Sequence, residues 1–164
     1  MQPIRQEAAT RPWRTAWQRA GASGSAAAVF SAAALAWRGY ADEGSAAGPL
    51  NGPSQWIWGE TQAYRRDATI RTAVGYAIHH STAILWATLY ERLLGEQRHP
   101  KSIVRHLAEA SSMTAAAYIV DYHFTPSRFR PGFKKHLQPA SVFAVYAAFA
   151  AGLALTQIVR GSRR

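Results

Sequence analysis

Five ionisable side chains lie within or beside stretches that are otherwise nearly free of charge: His79, His80, Glu109, Asp121 and His123. An ionisable group inside a membrane-spanning segment is energetically costly, so each of these positions is a candidate functional residue. Together they are the residue types that a proton relay or a small transport protein requires. The packed alternative is a neutral imidazole that hydrogen-bonds to a serine, threonine or tyrosine of a neighbouring helix.

Haem ligation is a further hypothesis for the two central histidines. His79 and His80 are neighbours in the chain and point about 100° apart on a helix, so they do not both face one partner squarely. When the apolar segments are aligned by their centres, Met113 lies at a similar depth, which makes a His/Met or bis-His haem conceivable. No HExxH pattern accompanies these residues. We predict no metal and no resident cofactor, with haem b as the alternative.

The segment 121-DYHFTPSRFRPGFKKH-136 combines proline and glycine turns with positive charge. Its cations are Arg128, Arg130, Lys134 and Lys135. In one interpretation Arg128 or Arg130 binds Asp121 and holds the loop to the helix end as a clasp. In the other interpretation the cations form a basic pocket for an anionic lipid headgroup or solute.

The composition narrows the class of protein. The formal net charge is +10, and the absence of cysteine excludes disulfides, zinc–thiolate sites and thiol catalysis. The mean hydropathy of -0.19 resembles that of a soluble protein, but the apolar residues are concentrated in blocks that the charges flank. This pattern favours a polytopic membrane protein over a nucleic-acid binder. The sequence has no G-x-S-x-G elbow and no phosphate-binding loop, so we predict a non-enzymatic role.

Four segments have the length and composition of transmembrane helices: residues 20–37, 73–90, 107–124 and 137–159. About 20 apolar residues cross a hydrocarbon core of ~30 Å. In the first loop, 51-NGPSQWIWGE-60 predicts a turn and a short interfacial helix with Ser54 as N-cap and two tryptophans at headgroup level. The predicted fold class is therefore all-α, an integral membrane bundle of four transmembrane helices.

The distribution of Lys and Arg predicts the orientation. A basic arm (residues 1–19), the loop after the second span and a basic tail (residues 160–164) hold eleven of the 19 cations, and the other side holds eight. The positive-inside rule then places both termini in the cytoplasm, with the domain 20–159 in the bacterial inner membrane. The alternative is a cleaved signal peptide that ends at Ala34-Leu35-Ala36.

Small residues recur at every fourth position in the predicted spans, which is a spacing that lets membrane helices approach closely. The first and fourth spans have Gly24, Ala28, Ala32 and Ala36, and Ala140, Ala144, Ala148 and Gly152. The second has Gly75, Ala83 and Ala87 with His79 among them, and the third has Ala108, Ser112 and Ala116. We expect a compact bundle with little room for a wide pore.

The stretches NGPSQWIWGE, GYAIHHSTAILWATLYERL and DYHFTPSRFRPGF, followed by a last apolar span, resemble a group of small proteobacterial inner-membrane proteins of uncharacterised function. The resemblance covers residues 51–159. It implies the membrane class and no particular activity.

These observations lead to a function expectation with two alternatives. The leading expectation is an accessory, structural or lipid-interacting membrane protein without enzymatic activity. It would contact the bilayer, an anionic lipid, and a second copy of itself or a larger membrane complex, and it would not bind nucleic acid. The alternatives are a transport or proton-relay protein that uses the intramembrane His, Glu and Asp residues, and a haem-bearing redox subunit.

Overall fold

The computed structural model describes residues 3–63, 69–95 and 102–162, and side chains from residue 13 onwards within these ranges except at 62 and 63. Within them the chain is all-helical, as predicted. Some of the cations counted for the predicted orientation lie outside the described residues: Arg65 and Arg66 of the outer side, and Arg98, Lys101, Arg163 and Arg164 of the cytoplasmic side.

The helices in chain order are α1 (Pro3–Glu43), α2 (Gly48–Asn51), α3 (Gln55–Trp58), α4 (Glu60–Ala63), α5 (Thr69–Leu93), α6 (Ile103–Ile119) and α7 (Pro139–Ser162). A π-helical turn, Val120–Phe124, extends α6. The four long helices coincide in position with the four predicted spans, except that the third span ends in this π-helical turn and α7 begins at Pro139 rather than at residue 137. The basic arm and the first span share one uninterrupted helix, and α7 begins at Pro139, which suits a first helical turn because proline has no N–H to donate there.

Among the described residues, two helices are long and apolar enough to cross a membrane: the Trp13–Glu43 part of α1, and α7. Helix α1 is central and packs along α5 on one side and α7 on the other, whereas α6 packs mainly against α7. The interfaces are built from small side chains, including Ala27, Ala28, Ala83 and Ala154, all almost completely buried. Small residues let the helix backbones approach closely and gain dispersion contacts.

The small-residue pattern locates the buried face on α5 but not on α6. On α5, Gly75, Ala83 and Ala87 are buried with His79, as the spacing predicts. On α6, the predicted stripe of Ala108, Ser112 and Ala116 is exposed, and the buried face holds Ala110, Met113 and Ala117 instead. Because alanine is frequent all round α6, small residues occur at four-residue spacing on more than one face, and the spacing alone does not select the packed one.

On α7 the predicted stripe lies at the margin of the interface. Ala140 is exposed and Ala148 is half-buried, whereas Gly152 is buried. The buried face of α7 also carries larger side chains, including Val145 and Phe149. The close backbone contact is at Gly152, which lies against Ala27 of α1.

Candidate functional site

Residues 48–60 and 125–138 fold over the end of the bundle where α1 ends and α7 begins, and we call these two segments the cap. Their backbones meet at Gly52 and Gly132. A Cβ atom at Gly52 would lie 2.7 Å from the Pro131 carbonyl oxygen. Gly132 adopts φ 79, in the left-handed region that favours glycine. The NGP and RPG motifs are therefore complementary halves of one contact.

Gln55 joins the two segments through its side chain, which is fully buried. Its Nε2 donates to the carbonyl oxygens of Ser127, at 3.3 Å, and Arg130. Its Oε1 accepts from Lys135 Nζ at 2.8 Å. Ser54 precedes this helix at the predicted N-cap position, but its side chain makes no capping bond. Sequence reasoning missed Gln55, because one glutamine in a loop carries no signal of burial.

The Gln55→Leu variant should open the cap without unfolding the bundle. It leaves two carbonyl groups without their side-chain donor, at a cost of about 1–2 kcal/mol. We expect faster protease cleavage within residues 125–138, with Gln138→Leu, at an exposed side chain of the same cap, as the control. Equal cleavage rates for the two variants would show that Gln55 does not hold the cap together.

The predicted clasp between Asp121 and the loop arginines does not form. Asp121 Oδ2 accepts instead from Tyr146 Oη at 2.8 Å. The Arg128 guanidinium donates to the Trp56 carbonyl at 3.4 Å, and Arg130 Nε donates to the Thr125 carbonyl at 3.0 Å. The turn after α6 aims both arginines at backbone carbonyls of the cap, so Asp121 points into the bundle.

Asp121 and His79, which belong to different predicted spans, line one cavity between the bundle and the cap. Its volume is about 60 Å³. The other polar lining side chains are Ser31, Thr82 and Tyr146. Aromatic side chains form much of the wall: Trp56, Trp86, Phe129, Phe133 and Phe149. The structure thus joins two of the candidate residues in one aromatic enclosure.

The two central histidines face different neighbours. His79 is 8% exposed, and its Nε2 lies 2.9 Å from Ser31 Oγ. His80 Nε2 lies 3.0 Å from Ser25 Oγ and its Nδ1 lies 3.2 Å from Tyr76 Oη. His80 therefore has the hydrogen-bonded environment of a packed imidazole, and only His79 reaches the cavity.

The other predicted site residues lie elsewhere. Glu109 accepts from Arg105 Nε at 3.0 Å, which is the pairing that their four-residue spacing predicts. This pair is at the opposite end of the bundle from the cap. His123 is exposed, and its ring centroid lies 6.4 Å from that of Tyr118. Neither residue lines the cavity.

The haem alternative has no geometric support among the described residues. Met113 belongs to the apolar core around Ala83 and Ala110 and does not line the cavity with His79. The cavity of about 60 Å³ is far below the ~300–1,000 Å³ of pockets that hold drug-sized ligands. The described residues also form no group of three His, Asp or Glu side chains placed to hold a metal ion.

Lys134 differs from the other cations of its segment. Arg128 and Arg130 bind cap carbonyls, and Lys135 pairs with Glu60 at 3.3 Å. Lys134 is exposed, and its Nζ lies 3.9 Å from the ring centroid of Tyr122. It lines a groove of about 890 Å³ between α6 and α7, a feature that the sequence did not reveal.

A buried ion pair lies at the end of the bundle away from the cap. Glu91 of α5 accepts from Arg160 of α7, with an N–O distance of 3.0 Å. The Glu91 side chain is 0% exposed and the Arg160 side chain is 26% exposed. In the sequence these two residues only mark the ends of apolar spans, and their partnership depends on α5 and α7 ending side by side.

Comparison with known proteins does not identify a family or a function. No protein-family model, no curated protein and no solved structure matches this chain. None of these comparisons supports the resemblance of residues 51–159. The function is therefore inferred from the geometry of the described residues.

Proposed function

We propose that this chain is a four-span protein of the bacterial inner membrane, with both termini in the cytoplasm and a non-enzymatic, lipid-binding role. In this arrangement α1, α5, α6 and α7 cross the bilayer and the cap lies at the outer surface. The groove between α6 and α7, with Lys134 at its outer end, is the observation that carries the lipid-binding part.

The spacing of exposed tryptophans on α1 supports a position across the bilayer. Trp17 is 60% exposed and Trp37 is 66% exposed. Their separation of twenty positions corresponds to a helical rise of about 30 Å, which equals the thickness of a hydrocarbon core. Tryptophan is enriched at both edges of that core. Between these positions α1 also exposes Val29 and Phe30, as a lipid-facing helix does.

The other two long helices are compatible with crossing the same slab. No Asp, Glu, Lys or Arg lies between Arg71 and Glu91 on α5. The α5 helix packs along α1 and exposes Leu85 on its outer side. The α6 helix and its π-helical turn form one helical segment, residues 103–124, long enough to cross with little tilt.

The groove has the length and chemistry of a site for one acyl chain. It follows α7 from Pro139 to Ala150, which corresponds to about 16 Å, or half of the hydrocarbon core. Small residues, including Ala115 and Ala147, line it, with Phe143 as a larger neighbour. At the outer end, the Lys134 ammonium group lies where the phosphate of an outer-leaflet lipid would be, and basic groups attract such headgroups.

Removing the Lys134 charge should weaken binding of anionic lipid. One lysine near the surface contributes about 1 kcal/mol, so Lys134→Gln should lower the affinity roughly fivefold. The measurement is native mass spectrometry or fluorescence with phosphatidylglycerol in a phosphatidylcholine background. Arg105→Gln, at the opposite end of the bundle, is the matched control and should bind as the parent does. An unchanged affinity for Lys134→Gln would remove Lys134 from the site.

A large side chain placed in the groove should exclude the lipid acyl chain. Ala115 and Ala116 are adjacent exposed residues of α6, but only Ala115 lines the groove. Ala115→Phe should therefore reduce retention of co-purifying lipid several-fold, and Ala116→Phe should retain the parental amount. Equal retention in the two variants would show that lipid does not occupy this groove.

A second candidate function is transport or proton relay, and one observation favours it. His79 and Asp121 converge on one cavity, although His80 and Glu109, which the sequence also suggested, do not. Any such activity would therefore depend on His79 and Asp121.

A further inference from the structure

The cavity between the bundle and the cap carries a single formal negative charge. Its lining includes Asp121 but no lysine and no arginine. The two nearest loop arginines are turned away to backbone carbonyls, as described above. A carboxylate in these surroundings is stabilised by two hydroxyl or indole donors at most, from Tyr146 and Trp86. The enclosure therefore has room and electrostatic preference for a cation.

The hydrogen bonds around the cavity use the protons of its polar lining residues and leave acceptor lone pairs on them. Ser31 Oγ donates to the Ala27 carbonyl at 2.6 Å, so it accepts from His79 Nε2–H at 2.9 Å. This network assigns the tautomer in which His79 Nδ1 keeps its lone pair. The Ser31 hydroxyl proton is therefore donated within the protein and is not offered to a ligand.

The remaining hydroxyl groups follow the same pattern. Thr82 Oγ1 donates to the His79 carbonyl at 2.9 Å, and Tyr146 Oη donates to Asp121 at 2.8 Å. Each hydroxyl proton is committed to a protein acceptor, while the oxygen lone pairs remain. The indole N–H of Trp56, which also lines the cavity, is buried and has no hydrogen-bond partner among the described residues. A ligand that complements Asp121 and the lone pairs of these hydroxyl oxygens supplies N–H donors and positive charge.

The wall chemistry distinguishes an organic cation from a metal ion. Besides Tyr146, five aromatic side chains without an oxygen atom line the cavity, and aromatic faces attract ammonium groups. They offer no oxygen ligands, whereas hard metal cations take about six or more oxygens. Phe129 lines the cavity and is 44% exposed, so a ligand can enter from the outer surface beside it.

We propose that this cavity binds a small primary ammonium ion, with Asp121 as counter-ion, Thr82 and His79 Nδ1 as further acceptors, and the apolar part of the ligand against the aromatic wall. The groove between α6 and α7 shares Tyr146 with this cavity, but Asp121, Thr82 and His79 do not line the groove, so the proposal does not rest on lipid binding.

Calorimetric titration of the purified full-length protein with methylammonium chloride tests the proposal, with sodium chloride at equal ionic strength as the reference. The parent should bind methylammonium saturably and sodium not at all. Asp121→Asn should weaken binding at least tenfold, and Thr82→Val should weaken it several-fold. Glu109→Gln, a carboxylate-to-amide change at the opposite end of the bundle, should bind as the parent does.

Thermal unfolding of each variant in the same detergent shows whether it remains folded. A folded Asp121→Asn protein that binds methylammonium as tightly as the parent would overturn the proposal, and so would equal heats for methylammonium and sodium. If Asp121→Asn does not fold, Thr82→Val decides alone, and parental affinity in that variant would overturn the proposal.

Discussion

The Gly152→Leu variant is expected to lose the packing between α1 and α7. A Cβ atom at Gly152 would lie 2.6 Å from the Ala27 Cα and 2.7 Å from the Ala27 nitrogen. These are backbone atoms of the central helix, so no side-chain rotation relieves the clash. Overpacking a core costs about 1–3 kcal/mol and occasionally more, and separating two backbones places this variant at about 3 kcal/mol or above. Thermal unfolding in detergent should show a large fall in Tm and a reduced yield of monodisperse protein.

Gly21→Leu is the matched control for this change. Gly21 lies on α1, and a Cβ atom there would have no neighbour within 4 Å. The same substitution therefore adds the same side chain to a bundle helix without separating it from a partner. If Gly21→Leu and Gly152→Leu unfold at the same temperature, the close contact between α1 and α7 does not stabilise the fold.

The Glu91→Gln variant is expected to be the second most damaging change. It removes the charge of a fully buried side chain and leaves Arg160 without its counter-ion. Breaking one side of a buried pair costs about 3–5 kcal/mol, and the partial exposure of Arg160 places this pair near 3 kcal/mol. The melting temperature should fall clearly, and the double variant with Arg160→Gln should lose less than the sum of the single changes.

Arg105→Gln is the control for an exposed pair. The Arg105 side chain is 67% exposed and that of Glu109 is 14% exposed, and a pair whose cation lies in solvent contributes about 0–1 kcal/mol. Its melting temperature should stay close to that of the parent. A Glu91→Gln variant as stable as Arg105→Gln would mean that the pair of Glu91 and Arg160 is not buried in the folded protein.

The all-helical class and the positions of the long helices could be predicted because apolar blocks between charged ends are local properties of the sequence. The face of α5 that carries His79 was also predictable, since glycine and alanine recur there among larger residues. The packed face of α6 was not, because alanine occurs around the whole helix. The pairing of the cap segments depends on two loops about 75 residues apart, and no local pattern encodes that contact.

For the candidate site, the sequence supplied the residue types but not their partners. Asp121 and His79 were candidates because ionisable side chains are chemically unusual at those positions, and only the packing brings them to one cavity. The clasp was wrong because loop arginines have many carbonyl groups within reach, and charge attraction alone does not determine which acceptor they meet. Lys134 was one of four equivalent cations until the groove distinguished it.

The topology of residue 102 tests the four-span arrangement most directly. The chain has no cysteine, so single serine-to-cysteine variants report one position each. Ser102 is exposed and directly precedes α6. If all four long helices cross the membrane, Ser102 faces the cytoplasm. If only α1 and α7 cross, Ser102 lies outside with the cap.

An impermeant maleimide applied to intact cells separates these arrangements. Ser127→Cys, in the exposed part of the cap, should react readily, and Ser162→Cys, at the end of α7, should be protected until the membrane is permeabilised. With four helices crossing the membrane, Ser102→Cys should be protected like Ser162→Cys. Labelling of Ser102→Cys in intact cells at the rate of Ser127→Cys would contradict it.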